Sequence, residues 1–89
     1  SGEIVANLIP AAERILLARA LIQKAREFPL PAEGGRGDFS YIAHVKDFLR
    51  QARDLVKFIP MAAGVTAGMK EEVKKIYQET EQAEREILH

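Results

Sequence analysis

The sequence predicts an all-α protein, a small antiparallel helical bundle of three helices completed by dimerisation. Three observations lead there. Apolar residues recur at spacings of three and four in three separate segments, and no segment shows the strict alternation of a half-buried strand. The chain has 89 residues, which make one domain spanning 1–89 and cannot support two cores. Of its apolar residues, 47% of the chain, thirteen are alanine, and the larger apolar side chains that remain are enough for a compact helical unit but modest for a stable monomer. A domain of this size buries only about 60 to 65% of its unfolded surface, and association is a cheap way to bury more.

The first helix is expected over about 7–27. Asn7 can cap it, and Pro10 falls in a first turn or at a kink because it has no amide hydrogen to give. It stops at Phe28-Pro29-Leu30-Pro31, since a residue before proline is pushed out of the helical region. Residues 29–38, with two prolines and three glycines, form the clear loop. Ser1-Gly2 reads as the remnant of a cleaved tag or an excised fragment and carries no structural weight.

The second helix is expected over about 39–63, or only as far as 59, capped by Asp38 or Ser40. Its seam is Ile42, Val45, Leu49, Ala52, Val56 and Ile59, an unbroken heptad pattern widened by Phe48 and Leu55. The third, over about 66–88, carries Met69, Val73, Ile76, Thr80, Ala83 and Ile87. Between them, Pro60 and two glycines weaken helix. Either Gly64 ends the second helix and Thr66 caps the third in a tight reversal, or one long bent helix runs from Ser40 to Leu88; compactness favours the reversal.

The first helix carries the most specific signal. Ile15, Leu16, Leu17, Ala18, Leu21, Ile22 and Ala25 spread over most of its circumference at 100° per residue. A helix apolar nearly all round is covered nearly all round, and two neighbours from the same chain cover one side. A second copy is the expected cover for the other, with Ile15, Leu17, Leu21 and Ile22 carrying the association; the plainer alternative leaves Leu17 and Leu21 exposed. Gly64 and Gly68 join that expected interface as a GxxxG pair, provided the run Met61–Met69 is helical, because glycines on one face let another backbone approach closely. The uncharged run Phe58–Met69 is only 12 residues long, short of the roughly 20 that span a bilayer, so no membrane is expected as a partner.

Chemistry is sparse. With no cysteine, disulfides, thiolate metal sites and thiol nucleophiles are excluded. His44 and Asp47, three apart, offer one nitrogen and one oxygen, which is not a metal site; a seam-flanking, partly buried histidine is the simpler reading. His89 is terminal. Glu81 and Glu84 resemble the carboxylate pairs of di-metal bundles, but no other helix offers a matching pair, so they read as a solvated face. Ser40 lacks a nucleophile turn, the glycines of 33–38 lack the Lys-Ser/Thr of a phosphate loop, and Arg36-Gly37-Asp38 is too short a match to an adhesion tripeptide to count. Lys46, Arg50, Arg53 and Lys57 form a basic set interleaved with Asp47 and Asp54; it is expected to be a solvated face paired with the acidic third helix, and nucleic acid is not the expected partner. With equal numbers of basic and acidic residues, 13 each, and neither signal pattern nor cysteine, the chain is expected in the cytoplasm.

The expectation is thus a non-enzymatic helical module that dimerises and binds another protein, with no catalytic residue, metal or cofactor. The alternative is a small-molecule or metal-binding bundle, possibly catalytic, with His44, Asp47 and Tyr41 near a pocket closed by 60–69.

Overall fold

Residues 9–89 are described by a computed structural model. They form three helices, α1 (Ala11–Glu27), α2 (Phe39–Val56) and α3 (Ala67–Leu88), with short 3-10 turns at Gly35–Gly37 and Ile59–Met61, and no strand among the described residues. Each helix packs against the other two. Arg19 of α1 meets Glu72 and Glu79 of α3 while Arg26 meets Glu86, so α1 and α3 run parallel and α2 runs against both. The expected antiparallel three-helix bundle is the fold of the described residues.

The helix ends follow from local chemistry. Pro10 stands just ahead of α1 rather than inside it, and its carbonyl accepts the Arg14 amide at 3.0 Å; Asn7, the expected cap, lies outside the described residues. Phe28 is extended (ψ 128°) ahead of Pro29, as the proline ring requires. Asp38 accepts the Tyr41 amide at 2.9 Å and Thr66 accepts the Met69 amide at 3.1 Å, so both expected caps are present. Removing either, as Asp38→Ala or Thr66→Ala, is expected to cost about 1 kcal/mol; a denaturant midpoint left unchanged by both would show that the caps contribute nothing.

One boundary and one seam position differ from expectation. The second helix ends at Val56 instead of reaching residue 63, because Pro60 has no amide to give the Val56 carbonyl and its ring crowds that oxygen. Its buried stripe begins with Tyr41, whereas Ile42 is only half-buried. The chain then reverses at Gly64, whose φ of +77° is a conformation that side chains disfavour. This is the tight reversal, not the single long helix. Gly64 therefore sits in a turn and Gly68 in the first turn of α3. The expected one-face glycine pair does not form, because the run that would carry it is not helical.

The core combines Ile15, Ala18, Ile22 and Ala25 of α1 with Tyr41, Val45, Leu49, Ala52 and Val56 of α2, then Ile59, and Val73, Ile76 and Ala83 of α3. Burying a Val, Leu or Ile fully is worth roughly 1.5–3 kcal/mol. Alanines 18, 25, 52 and 83 are completely covered, which brings the helix axes close. Thr80 is a buried polar residue in this layer. Its hydroxyl donates to the Tyr77 carbonyl at 2.8 Å, satisfying it within its own helix.

Candidate functional site

The rotation of α1 decides which of its apolar residues remain available. Ile15 and Ile22 point into the core and are 7% and 6% exposed, so two of the four residues expected at an interface already belong to the bundle. Leu21 is half-buried against the core, while Leu17 is 39% and Leu16 68% exposed. At 100° per residue, Glu13, Leu17, Ala20 and Lys24 follow one another at spacings of four, three and four along the outer face of α1. All four are exposed. Leu16 flanks this stripe on one side and Leu21 on the other.

Leu16 also borders an open groove between the N-terminal parts of α1 and α3. Its walls are Ala12, Ile15 and Leu16 on one side and Thr66, Gly68, Met69 and Glu72 on the other. Gly68 thus reaches the candidate surface, as part of a groove wall. Gly64 is exposed in the α2–α3 turn.

Charge holds α1 and α3 together along the same edge. Arg19 reaches Glu72 at 2.7 Å and Glu79 at 3.3 Å, and Arg26 reaches Glu86 at 2.6 Å. The basic set of α2 was expected to face the acidic α3, but Arg50 instead binds Asp47 at 2.6 Å and Asp54 at 2.8 Å within its own helix. Of the glutamates of α3, Glu72, Glu79 and Glu86 are paired with α1. Pairs three and four apart on one helix need no neighbouring element to hold them, which is why Arg50 is satisfied within α2. The seven-residue spacing shared by Arg19 and Arg26 with Glu72, Glu79 and Glu86 was a sequence signal for this edge.

These pairs shift ionisation. Hydrogen bonding from Arg19, then Lys75, holds the Glu72 carboxyl below its usual range; Gln82, then Arg26, does so for Glu86; Arg50, then Gln51, does so for Asp47. A carboxylate whose pKa is lower in the folded state adds stability above its unfolded value, about 4, and that stability is lost as pH falls through the folded value. Melting temperature is therefore expected to hold steady from neutrality to about pH 5 and then decline. Glu72→Gln with Glu86→Gln should flatten the decline. An acid limb identical to that of the parent chain would remove these pairs from the account.

The alternative site does not assemble. Tyr41 is buried in the core. His44 is exposed, stacks on Phe28 with ring centroids 5.0 Å apart, and places Nδ1 2.7 Å from the Ser40 carbonyl. Since a carbonyl only accepts, Nδ1 donates there. Asp47 is committed to Arg50 and Gln51. Residues 60–69 follow the far end of α2, and His44 lies roughly 18 Å along the axis from Val56 at 1.5 Å per residue, so that segment cannot close over it. No group of three or more His, Asp or Glu side chains able to hold a metal occurs among the described residues. What the sequence reading missed at this end is the cluster of Phe28 with Tyr41, His44 and Phe48, which anchors the end of α1 on the start of α2.

No described helix is long and apolar enough to cross a membrane. Comparison with family models, curated proteins and solved structures finds no match.

Proposed function

We propose that this protein is a non-enzymatic helical interaction module that pairs with a second copy of itself through the outer face of α1, leaving its remaining surfaces for another protein. The observation that carries the proposal is the stripe Glu13, Leu17, Ala20 and Lys24, exposed on a helix whose opposite face is already in the core. In a two-fold interface the same patch meets itself. An antiparallel crossing of two α1 helices centred between Ala18 and Arg19 sets Leu17 against Ala20 of the partner subunit and Glu13 against Lys24 of the partner subunit. The stripe is thus self-complementary in both shape and charge, and Leu16 and Leu21 widen its apolar contact.

Light scattering coupled to size exclusion across a dilution series tests this reading. The parent chain is expected to run as a dimer that dissociates on dilution. Leu17→Glu, at the centre of the interface, should raise the dissociation constant by about 30-fold or more without lowering the melting temperature of the monomer. Lys24→Glu should weaken association and the double exchange Glu13→Lys with Lys24→Glu should restore it, because only the exchange re-forms opposite charges. A parent chain that is monomeric at every concentration, or an exchange that restores nothing, would sink the proposal.

A further inference from the structure

The α2–α3 turn carries a second surface of different character. Its uncharged run Phe58–Met69 presents Phe58 at 62% and Met61 at 74% exposure, followed by exposed Ala62, Ala63 and Gly64. Charge collects immediately around it. From Arg50 to Lys75 there are six Lys or Arg against three Asp or Glu, and the rest of the chain has seven against ten. The segment from Arg50 to Lys75 is therefore positive by three in a chain that is neutral overall. Of the three carboxylates, Asp54 is held by Arg50 and Lys57, and Glu72 by Arg19 and Lys75.

The bundle leaves Lys57, Lys70 and Lys74 exposed and Arg53 half-buried. On α2, α1 lies against the side bearing His44 and Phe48, and on α3 against the side bearing Glu72 and Glu79. Arg53 on α2 and Lys57 just after it, and Lys70 and Lys74 on α3, are each four apart and fall on the sides that α1 does not occupy; Lys57 pairs with Asp54 at 3.3 Å and lies 5.1 Å from the centre of the Phe58 ring. They flank the α2–α3 seam as a collar behind the apolar tip.

We propose that this turn is a docking tip for an anionic lipid surface, with Phe58 and Met61 entering the interfacial layer and Arg53, Lys57, Lys70 and Lys74 at headgroup level. A protein partner would need a cavity to receive a projecting turn, whereas a lipid interface accepts apolar side chains from a convex tip and anionic headgroups complement the collar. Twelve uncharged residues are too few to span a bilayer but sufficient for attachment to its surface. This surface is separate from the α1 stripe, so the proposal stands or falls independently of self-association.

The chain has no tryptophan, so Phe58→Trp supplies a single reporter at the tip. Its emission is expected to shift to the blue with vesicles of phosphatidylserine and phosphatidylcholine, and much less with phosphatidylcholine alone or at high salt. Lys70→Gln with Lys74→Gln should lower partitioning in co-sedimentation by about 25-fold, about 5-fold for each charge. Met61→Ser in the reporter chain should lower it as well, with helix content unchanged. Leu17→Glu should leave partitioning in place, which separates this result from the fate of the dimer. An absent lipid-dependent shift, partitioning indifferent to the lysines or to Met61, or a blue shift without lipid that vanishes on dilution would overturn the proposal. The last outcome would place the tip against a second copy of the chain.

Discussion

Ile76→Asp is expected to unfold the protein or leave it without a cooperative transition. Ile76 has no exposed surface and sits mid-way along α3, where its neighbours in the buried stripe are Val73, Thr80 and Ala83. The buried residues around it include no cation. A carboxylate there either stays ionised without a partner or takes up a proton to become neutral, and both are costly in an apolar layer. Leaving a charge uncompensated in a core costs on the order of 3–5 kcal/mol, against a total of about 5–15 kcal/mol for an ordinary domain. Ile76→Val, which removes one methylene, should cost only about 0.5–1.5 kcal/mol. Circular dichroism during thermal melting distinguishes the two; a cooperative transition for Ile76→Asp near that of the parent would place this side chain outside the core.

The second large effect separates core from surface on α1. Ile22→Ala is expected to lower the unfolding free energy by about 2–5 kcal/mol, while Leu16→Ala on the outer face should change monomer stability by no more than about 0.5 kcal/mol. The difference has a geometric cause. Ile22 faces the core beside fully covered Ala18 and Ala25, and alanines have no side-chain length with which to fill the hole. Leu16, two-thirds exposed, loses contacts mainly with water. Chemical denaturation of both variants at high dilution measures the contrast, and equal losses would show that α1 is rotated differently.

That rotation is also where the sequence was hardest to read. The seams of α2 and α3 were legible because polar residues bracket each apolar stripe, leaving one face that can turn inward. On α1, apolar residues occupy positions 15 to 18 without interruption, and periodicity alone cannot choose among Ile15, Leu16 and Leu17. Placing Ile15 and Ile22 at an interface followed from that ambiguity. Charge supplied the missing direction: Arg19 and Arg26 must face the glutamates of α3, which turns Ile15 and Ile22 inward and Leu17 outward. Caps were legible at Asp38 and Thr66 because a short oxygen-bearing side chain before an apolar-periodic segment has a specific backbone amide to satisfy. The end of α2 was not, since Pro60 exerts its effect four residues upstream, at a carbonyl that carries no mark in the sequence.

The charged edge between α1 and α3 has equal rungs. Arg19 and Arg26 are seven apart, Glu72, Glu79 and Glu86 are seven apart, and Arg19 already straddles two of them. Sliding α3 past α1 by one heptad, about 10.5 Å, would present the same pattern of opposite charges. The ladder can therefore fix how the two helices are rotated and still leave their stagger undetermined. Stagger must come from elements that do not repeat: the reversal at Gly64, which sets where α3 begins, and Thr80, a polar residue in an otherwise apolar row. In this bundle electrostatics selects the facing sides, while a single glycine turn and the shape of the core set the axial position.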